Sequence, residues 1–241
     1  MIKKIKIMVI PATSSDEELL PLTAVVPKEL LPLRGIPVVE QMMEEADLPE
    51  EVVFVTTPEK KMVFEHFSKL KEYGYEKYTS SFFHILQKKS TSEADTVSRA
   101  EKRVGGDPFM LSFADNILFS NTPLFAQLFS VFRTSEKSVL ALSFNKEVNS
   151  SHVAEVEKIA SRLYKIKKIR ERSEENEDMP AVVCKGIFNA SVFDYLKGAK
   201  KESSVMDVVA QMLSDGKTVY AYEVDGQWVN LHNYESYTKE K

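Results

Sequence analysis

The sequence has 241 residues, of which 43% are hydrophobic and 28% are charged, so the chain can bury a sizeable core. Its formal net charge of −4 argues against binding of nucleic acid through a basic surface. The single cysteine, Cys184, excludes an intrachain disulfide and suits a reducing compartment.

The first apolar run, residues 5–10, is too short for a signal peptide or a membrane span, and we interpret it as a buried strand. We therefore expect a cytoplasmic protein that does not bind membranes. Further along, apolar runs bounded by turn residues alternate with helical patterns, which favours an α/β fold. The predicted strands are 5–10, 52–56, 83–86, 109–113, 139–144, 153–159, 163–169, 182–188 and 219–224. The predicted helices are 37–46, 60–67, 91–104, 123–134, 190–196 and 204–214.

The segment after the first predicted strand carries the most informative pattern of the chain. Its first part is polar and acidic and ends in Asp16-Glu17-Glu18. Ser15 and Glu18 have the spacing of a capping box, which predicts a helix that begins after Ser15 with carboxylates in its first turn. The second part has the pattern Pro-x-Thr-x3-Pro-Lys-Glu-x2-Pro over residues 21–32.

This pattern resembles the sugar-1-phosphate nucleotidyltransferases, and especially the bacterial UTP–glucose-1-phosphate uridylyltransferases. The resemblance runs from about residue 5 to residue 237. It implies a single Rossmann-like domain of the nucleotide-diphospho-sugar transferase type, with a mixed, mainly parallel sheet flanked by helices. The nucleotide half would span about 1–118 and the sugar half about 119–241. The resemblance also implies that Lys28 is catalytic and that Ala12 binds the nucleotide.

The chain departs from the family in the loop that precedes this pattern. The family has Gly-x-Gly-Thr-Arg there, whose glycines let backbone N–H groups approach phosphate and whose arginine pairs with it. The carboxylates of Asp16, Glu17 and Glu18 would instead repel a triphosphate. Two unit charges about 4 Å apart cost about 1 kcal/mol in water and about 4 kcal/mol at an effective dielectric constant of about 20. A bridging Mg²⁺ ion would reverse this repulsion, since Mg²⁺ favours carboxylate oxygens.

Two further positions match the family's metal ligands. Asp115 follows an apolar strand, at the edge of the sheet where open α/β folds bind ligands, and matches the family's Mg²⁺-binding Asp. An Asp that simply ends a strand is the alternative interpretation. Asn230 stands where the family has its second carboxylate, and His232 where it has a glycine. Because an Asn brings no charge, the resemblance implies a weakened Mg²⁺ site.

Gln87 follows the predicted strand 83–86 and resembles the family's base-reading glutamine. A side-chain amide at this position can contact the Watson–Crick face of a pyrimidine. The glycine-rich stretch that follows it in the family is replaced by residues 89–94. Ser92 and Asp95 have a capping-box spacing, which predicts a helix start.

The sugar half contains four further matches. Glu171 matches the family's sugar-binding Glu and Arg172 its phosphate-binding, catalytic Lys, although a guanidinium lacks the compact geometry of an ammonium. Glu202 and Asp207 match two acidic positions of the sugar site. Cys184 replaces a glycine that lets the sugar approach the backbone.

The family reaction is attack by a sugar-1-phosphate on the α-phosphorus of a nucleoside triphosphate, with release of pyrophosphate. Loss of one electrostatic stabiliser commonly costs about 10²- to 10³-fold in rate. We therefore expect a weakly active or inactive member that binds a nucleotide, a sugar phosphate or a protein partner. Two alternatives stay open: an active nucleotidyltransferase whose acidic loop recruits metal, and a single-metal transferase that acts on a nucleotide-sugar. A homo-oligomer is compatible with the sequence.

Overall fold

The structure is a computed structural model that describes residues 5–89, 92–146, 148 and 150–239. Its strands are β1 (Ile7–Ala12), β2 (Pro32–Leu33), β3 (Ile36–Pro37), β4 (Glu51–Thr56), β5 (Ser81–Leu86), β6 (Phe109–Ser112), β7 (Asn116–Phe119), β8 (Val139–Ser143), β9 (His152–Ala160), β10 (Leu163–Glu171), β11 (Ala181–Phe188), β12 (Tyr220–Glu223) and β13 (Gln227–Asn230). Its α-helices are α1 (Val38–Glu45), α2 (Lys61–Glu72), α3 (Glu93–Ser98), α4 (Glu101–Val104), α5 (Leu124–Ser135), α6 (Val192–Gly198), α7 (Val205–Ser214) and α8 (Tyr234–Lys239).

Nine strands form one sheet in the order β5-β4-β1-β6-β11-β8-β12-β10-β9. Strands β5, β4, β1 and β6 are parallel to one another, and β8 pairs in parallel with β12. Strands β10 and β11 run against the other seven. The predicted mixed, mainly parallel sheet is therefore confirmed.

Helices cover both faces of this sheet, because the side chains of each buried strand alternate between two apolar layers. In β1, Met8 and Ile10 pack with α1, α2 and α5, whereas Val9 packs with α3, α6 and α7. None of the helices in the described part of the chain is long and apolar enough to cross a membrane.

All nine predicted strands correspond to strands of the large sheet, with ends that shift by up to two residues. The separate antiparallel pair β7–β13 was not predicted. The predicted helix 91–104 is divided into α3 and α4, and residue 91 lies outside the described residues. The division occurs where the Arg99 and Ala100 N–H groups bond to carbonyls only three residues back.

The predicted capping box at Ser15 and Glu18 is wrong. A short 3-10 turn spans Glu17–Leu19, and no side chain caps it. Within the described residues, Ser15 Oγ accepts the N–H of Glu17 alone, at 3.4 Å, because the neighbouring carboxylate of Asp16 turns inward to stronger, charge-assisted partners. The predicted cap at Ser92 is confirmed, since Ser92 Oγ accepts the N–H of Asp95 at 3.1 Å.

Candidate functional site

A cavity of about 460 Å³ opens at the edge of the sheet where β1 and β6 end. Because β11 runs against these strands, its first residues lie at the same edge. The loop after β1, including Asp16, forms one wall of the cavity, and residues 150–152 with residues 182–184 form the opposite wall. The carboxyl ends of parallel strands are the usual ligand-binding edge of such sheets.

Lys28 and Asp115 meet in this cavity as an ion pair between the ammonium and one carboxylate oxygen. Lys28 lies in a 3-10 turn, Lys28–Leu30, and Asp115 follows β6. Burial lowers the pKa of Lys28, but Asp115 and Glu29 outweigh it, and the pKa rises to about 12. Burial likewise raises the pKa of Asp115, but the ammonium of Lys28 outweighs it and lowers that pKa. Both groups therefore stay charged at neutral pH.

A second, more deeply buried group lies beside this pair. The ammonium of Lys60 donates to Asp16 Oδ1 at 2.7 Å and to both carboxylate oxygens of Glu29, at 3.0 and 3.1 Å. Asp16 Oδ2 accepts the backbone N–H of Lys28 at 3.0 Å. Lys60 and Glu29 are buried, and burial raises the pKa of Glu29. We call Asp16, Glu29 and Lys60 the loop charge cluster.

The lining of the cavity is acidic. Five of its side chains are carboxylates, two are ammonium groups and two are imidazoles. One imidazole, that of His232, pairs with Glu18 through Nε2 at 2.9 Å. Glu93 Oε2 accepts the N–H of Val205 at 3.1 Å, and burial raises the pKa of Glu93 in spite of that bond. The second ammonium, that of Lys185, points away to Glu45.

The opposite wall carries neutral groups. Ser151 Oγ lies 3.0 Å from Nδ1 of His152, and burial lowers the pKa of His152, which keeps this imidazole neutral near pH 7. Ser150 donates its hydroxyl to the Val182 carbonyl at 2.6 Å. Burial raises the pKa of the Cys184 thiol, so it is not a thiolate nucleophile at neutral pH.

The two residues predicted to bind a nucleotide, Ala12 and Gln87, are buried and are not among the residues that line the cavity. Ala12 ends β1 and is fully buried. Gln87 is buried and donates its amide to Asp95 Oδ2 at 2.6 Å. This bond orients the amide, and Gln87 Oε1 accepts no hydrogen bond from the described residues.

The four residues predicted to bind the sugar or its phosphate are not among the residues that line this cavity. Glu171 pairs in register with His152 across β9 and β10. The N–H of Arg172 donates to the Ser151 carbonyl at 2.8 Å, and Arg172 Nε is buried without a hydrogen-bond partner in the described part of the chain. Glu202 is exposed, with a φ of 79° that only a few per cent of non-glycine residues adopt.

Asp207 has a structural role that the sequence pattern did not reveal. Its carboxylate accepts the N–H of Ser204 at 2.8 Å, while Ser204 Oγ accepts the N–H of Asp207 at 3.0 Å. This reciprocal pair is the capping box that begins α7.

The donor set does not fit a resident Mg²⁺ ion. The carboxylate of Asp115 is held by the Lys28 ammonium, and Asn230 Oδ1 accepts the N–H of His232 at 2.7 Å. Within residues 5–89, 92–146, 148 and 150–239, no three Asp, Glu, His or Cys side chains are grouped so as to hold a metal.

Sequence reasoning missed Lys60, Glu93 and His152, which the fold brings to or beside the cavity. Lys60 lies 32 residues beyond Lys28, and no local pattern connects them. Lys185 offered a signal, because a lysine within an apolar strand needs a buried partner.

The chain is similar to known proteins over nearly its whole length. A model of the family described as "Nucleotidyl transferase" matches residues 9–241. A UTP–glucose-1-phosphate uridylyltransferase of Staphylococcus haemolyticus is 27% identical over 250 aligned positions, which cover 93% of this chain and 86% of that protein. A protein of the same name from Staphylococcus epidermidis is 26% identical with the same coverage.

Solved structures show the same architecture. A UDP-glucose pyrophosphorylase complexed with UDP-glucose has a TM-score of 0.87 and 23% identity, over 98% of this chain and 97% of that chain. A UTP-bound UGPase from Acinetobacter baumannii has a TM-score of 0.81 and 19% identity, over 98% and 92% of the respective chains. At these identities the likeness concerns the fold, and function has to be argued from the site.

Proposed function

The chain belongs to the nucleotidyl transferase family, as the pattern at residues 21–32 predicted, and on this basis we propose that it binds a sugar phosphate or a nucleotide-sugar in its cavity but condenses sugar phosphate with triphosphate very slowly or not at all. Cavity-facing residues predicted from the sequence, Lys28 and Asp115, are part of this proposed binding site. A nucleotidyltransferase-like ligand site is thus retained, without the charges that triphosphate chemistry needs.

One observation carries this proposal: both lysines among the described residues that line the cavity are already paired with carboxylates of the chain. Lys28 is paired with Asp115 and Lys185 with Glu45. Nucleotidyl transfer depends on positioning and on neutralisation of phosphate charge. A triphosphate would have to displace an internal carboxylate from each lysine and would still face the acidic loop. The expected result is weak binding and a poorly stabilised transition state.

Arg172 supports the part of the proposal that concerns sugar phosphate. Its guanidinium Nε is buried and has no hydrogen-bond partner in the described part of the chain. Its backbone is bonded to Ser151, which lines the neutral wall. A phosphate monoester would supply the missing acceptor, since guanidinium groups bind phosphate with two parallel donors. We assign Arg172 to the phosphate, and Glu171, Glu202 and Asp207 to the sugar side.

The alternative of an acidic loop that recruits metal is less well supported. Asp16 is bound to Lys60 and to the Lys28 N–H, and Glu18 is bound to His232. Within the described residues, Glu17 is the one loop carboxylate that no cationic side chain pairs with, and a single carboxylate is a poor metal site without phosphate ligands.

Calorimetric titrations with glucose-1-phosphate, UDP-glucose and UTP, each with Mg²⁺ and with EDTA, test the proposal together with a pyrophosphate-release assay. We expect binding of glucose-1-phosphate or UDP-glucose and little or no pyrophosphate release. Mg²⁺-dependent UTP binding with pyrophosphate release would overturn the proposal in favour of an active nucleotidyltransferase. Turnover of UDP-glucose without pyrophosphate chemistry would instead indicate a transferase that acts on a nucleotide-sugar.

Arg172→Gln provides the residue-level test. We expect it to weaken glucose-1-phosphate binding by about 10-fold or more, because it removes a charge-assisted contact to phosphate. Arg170→Gln is the matched control, since Arg170 lies two residues before Arg172, within β10, but is exposed and paired with Glu155. Equal losses in both variants would contradict the assignment of Arg172.

The expected setting of the protein follows from its composition. A single unpaired cysteine suits a reducing compartment, and we propose the cytoplasm. A homo-oligomer is compatible with this proposed function.

A further inference from the structure

Asp16 occupies a position built to hold an anion. Its carboxylate accepts one backbone N–H, that of Lys28 at 3.0 Å, and one ammonium, that of Lys60 at 2.7 Å. A main-chain N–H combined with a cationic side chain is the donor set that proteins present to phosphate oxygens. We propose that Asp16 is an internal occupant of an anion site and that it determines specificity by excluding the pyrophosphate group of polyphosphates from this position.

The contacts of Asp16 extend beyond its carboxylate. The Thr23 hydroxyl donates to the Asp16 carbonyl at 2.7 Å, so the residue is held through both its backbone and its side chain. The Asp16 side chain is 10% exposed, while its neighbours in the acidic loop, Glu17 and Glu18, are exposed. Of the three loop carboxylates, Asp16 alone is placed inside the protein.

The charge balance identifies Asp16 as the extra carboxylate of the loop charge cluster. Glu29 already satisfies Lys60 with both of its oxygens and is itself 1% exposed. Without the Asp16 side chain, Lys60 and Glu29 form a one-to-one pair, and the Lys28 N–H loses its acceptor. The vacated position then has donors and no resident anion.

The position is accessible from the ligand cavity. Asp16 and Lys28 both line that cavity, whereas Lys60 lies behind Asp16 and does not. Shortening Asp16 would therefore extend the cavity toward the Lys60 ammonium. The inference rests on the proposed function only in treating this cavity as the place where phosphate groups bind.

The test measures binding of inorganic pyrophosphate to wild type, Asp16→Ala and Asp16→Asn by calorimetry at fixed ionic strength without metal. We expect Asp16→Ala to bind pyrophosphate at least about 10-fold more tightly than wild type, because the site loses both its occupant and a like charge. Asp16→Asn should gain less, because its amide oxygen still fills the position. Adding Lys60→Met to Asp16→Ala should abolish the gain.

Glu17→Gln is the matched control, since it removes one carboxylate from the same wall without touching Lys28 N–H or Lys60. A gain in Glu17→Gln equal to that in Asp16→Asn would overturn the inference and indicate a general effect of cavity charge. A folded Asp16→Ala variant with unchanged pyrophosphate affinity would also overturn it. Failure of the proposed function is a separate result, in which wild type binds neither glucose-1-phosphate nor UDP-glucose. That result does not depend on whether Asp16→Ala binds pyrophosphate more tightly than wild type.

Discussion

Two buried groups of charged side chains lie near the same edge of the sheet and differ in the number of carboxylates that each sets against one ammonium. Lys185 on β11 pairs with Glu45 on α1, and it also donates to Ser112 Oγ at 2.9 Å. The other oxygen of Glu45 accepts the Leu118 N–H at 2.7 Å. The loop charge cluster instead sets two carboxylates, Asp16 and Glu29, against one ammonium.

The difference separates a structural pair from a group that bears on ligand binding. Burial lowers the pKa of Lys185 and raises that of Glu45, yet each charge has one opposite partner and further hydrogen bonds. Such a balanced pair connects a strand to a helix and offers nothing to a ligand. The loop charge cluster has a surplus carboxylate at the cavity wall, and that surplus is what a competing anion would have to displace.

We expect the largest loss of stability from a variant that breaks the balanced pair of Lys185 and Glu45. Lys185→Met leaves the Glu45 carboxylate buried without a cation, which we expect to lower the free energy of unfolding by about 3–5 kcal/mol. Urea unfolding followed by circular dichroism measures this loss. The double variant Lys185→Met/Glu45→Gln serves as the control and should recover part of it. A loss below about 1 kcal/mol in the single variant would show that the pair is not structural.

We expect Lys60→Met to lower the free energy of unfolding by less, about 2–3 kcal/mol, although it removes the only ammonium of the loop charge cluster. Burial already raises the pKa of Glu29, so this carboxyl can take up a proton in place of its lost partner. An acid whose pKa is raised on folding stabilises the folded state below its unfolded pKa, and that contribution is lost as the pH rises. The difference in unfolding free energy between wild type and Lys60→Met should therefore grow from about pH 5 to about pH 8, as measured by urea unfolding. A difference that does not change with pH would contradict this reasoning.

Asp115→Asn tests the ion pair that lies between the two groups. We expect a loss of about 1 kcal/mol near pH 7, less than for a fully buried pair because the Asp115 side chain is 43% exposed. The lowered pKa of Asp115 means that its contribution is present above the ordinary value of 3.8 and is lost as the pH falls through the folded pKa. The contribution of Lys28 is complete below 10.5 and is lost as the pH rises through about 12.

Stability curves of wild type and Asp115→Asn between about pH 2 and pH 12 check both limits. The two curves should converge at the acidic end, where Asp115 becomes protonated in both the folded and the unfolded chain. A constant separation across the range would show that the amide, and not the lost charge, causes the difference.

The smallest effect is expected at the surface pair of Glu18 and His232. Their side chains are 62% and 51% exposed, so Glu18→Gln should change the free energy of unfolding by less than about 0.5 kcal/mol. The same urea titration measures it. A loss as large as that of Asp115→Asn would mean that this contact holds the loop closed, and the contrast between buried and exposed carboxylates would then fail.

Local patterns predicted the sheet well and the site only in part. Apolar runs such as 109–113 mark strands because each must bury its side chains on both faces, and every such prediction has a counterpart. The strands β7 and β13 were missed because each is only four residues long and is stabilised by the other. The cap at Ser92 was predicted correctly because its partner is three residues away.

The cap at Ser15 failed because the competing partners of its neighbour Asp16 are 12 and 44 residues away in the chain. The predicted residues Lys28 and Asp115 were expected at the site, but the ion pair between them was not. The roles of Arg172, Glu171 and Glu202 remain predictions that the titrations test.

The sequence by itself determined the order of the strands and helices, the family and the loss of the glycines and arginine from the first loop, because these depend on periodicity and on residue identity at fixed spacing. Only the tertiary structure decided which carboxylate each ammonium binds. Ion pairing depends on distance and burial in three dimensions, and folding placed Asp16 against Lys60 and Lys28 against Asp115. From the sequence, the acidic loop is expected to repel a phosphate ligand. In the folded chain, its buried carboxylate, that of Asp16, is bound to Lys60 and occupies the position that we propose for an anion.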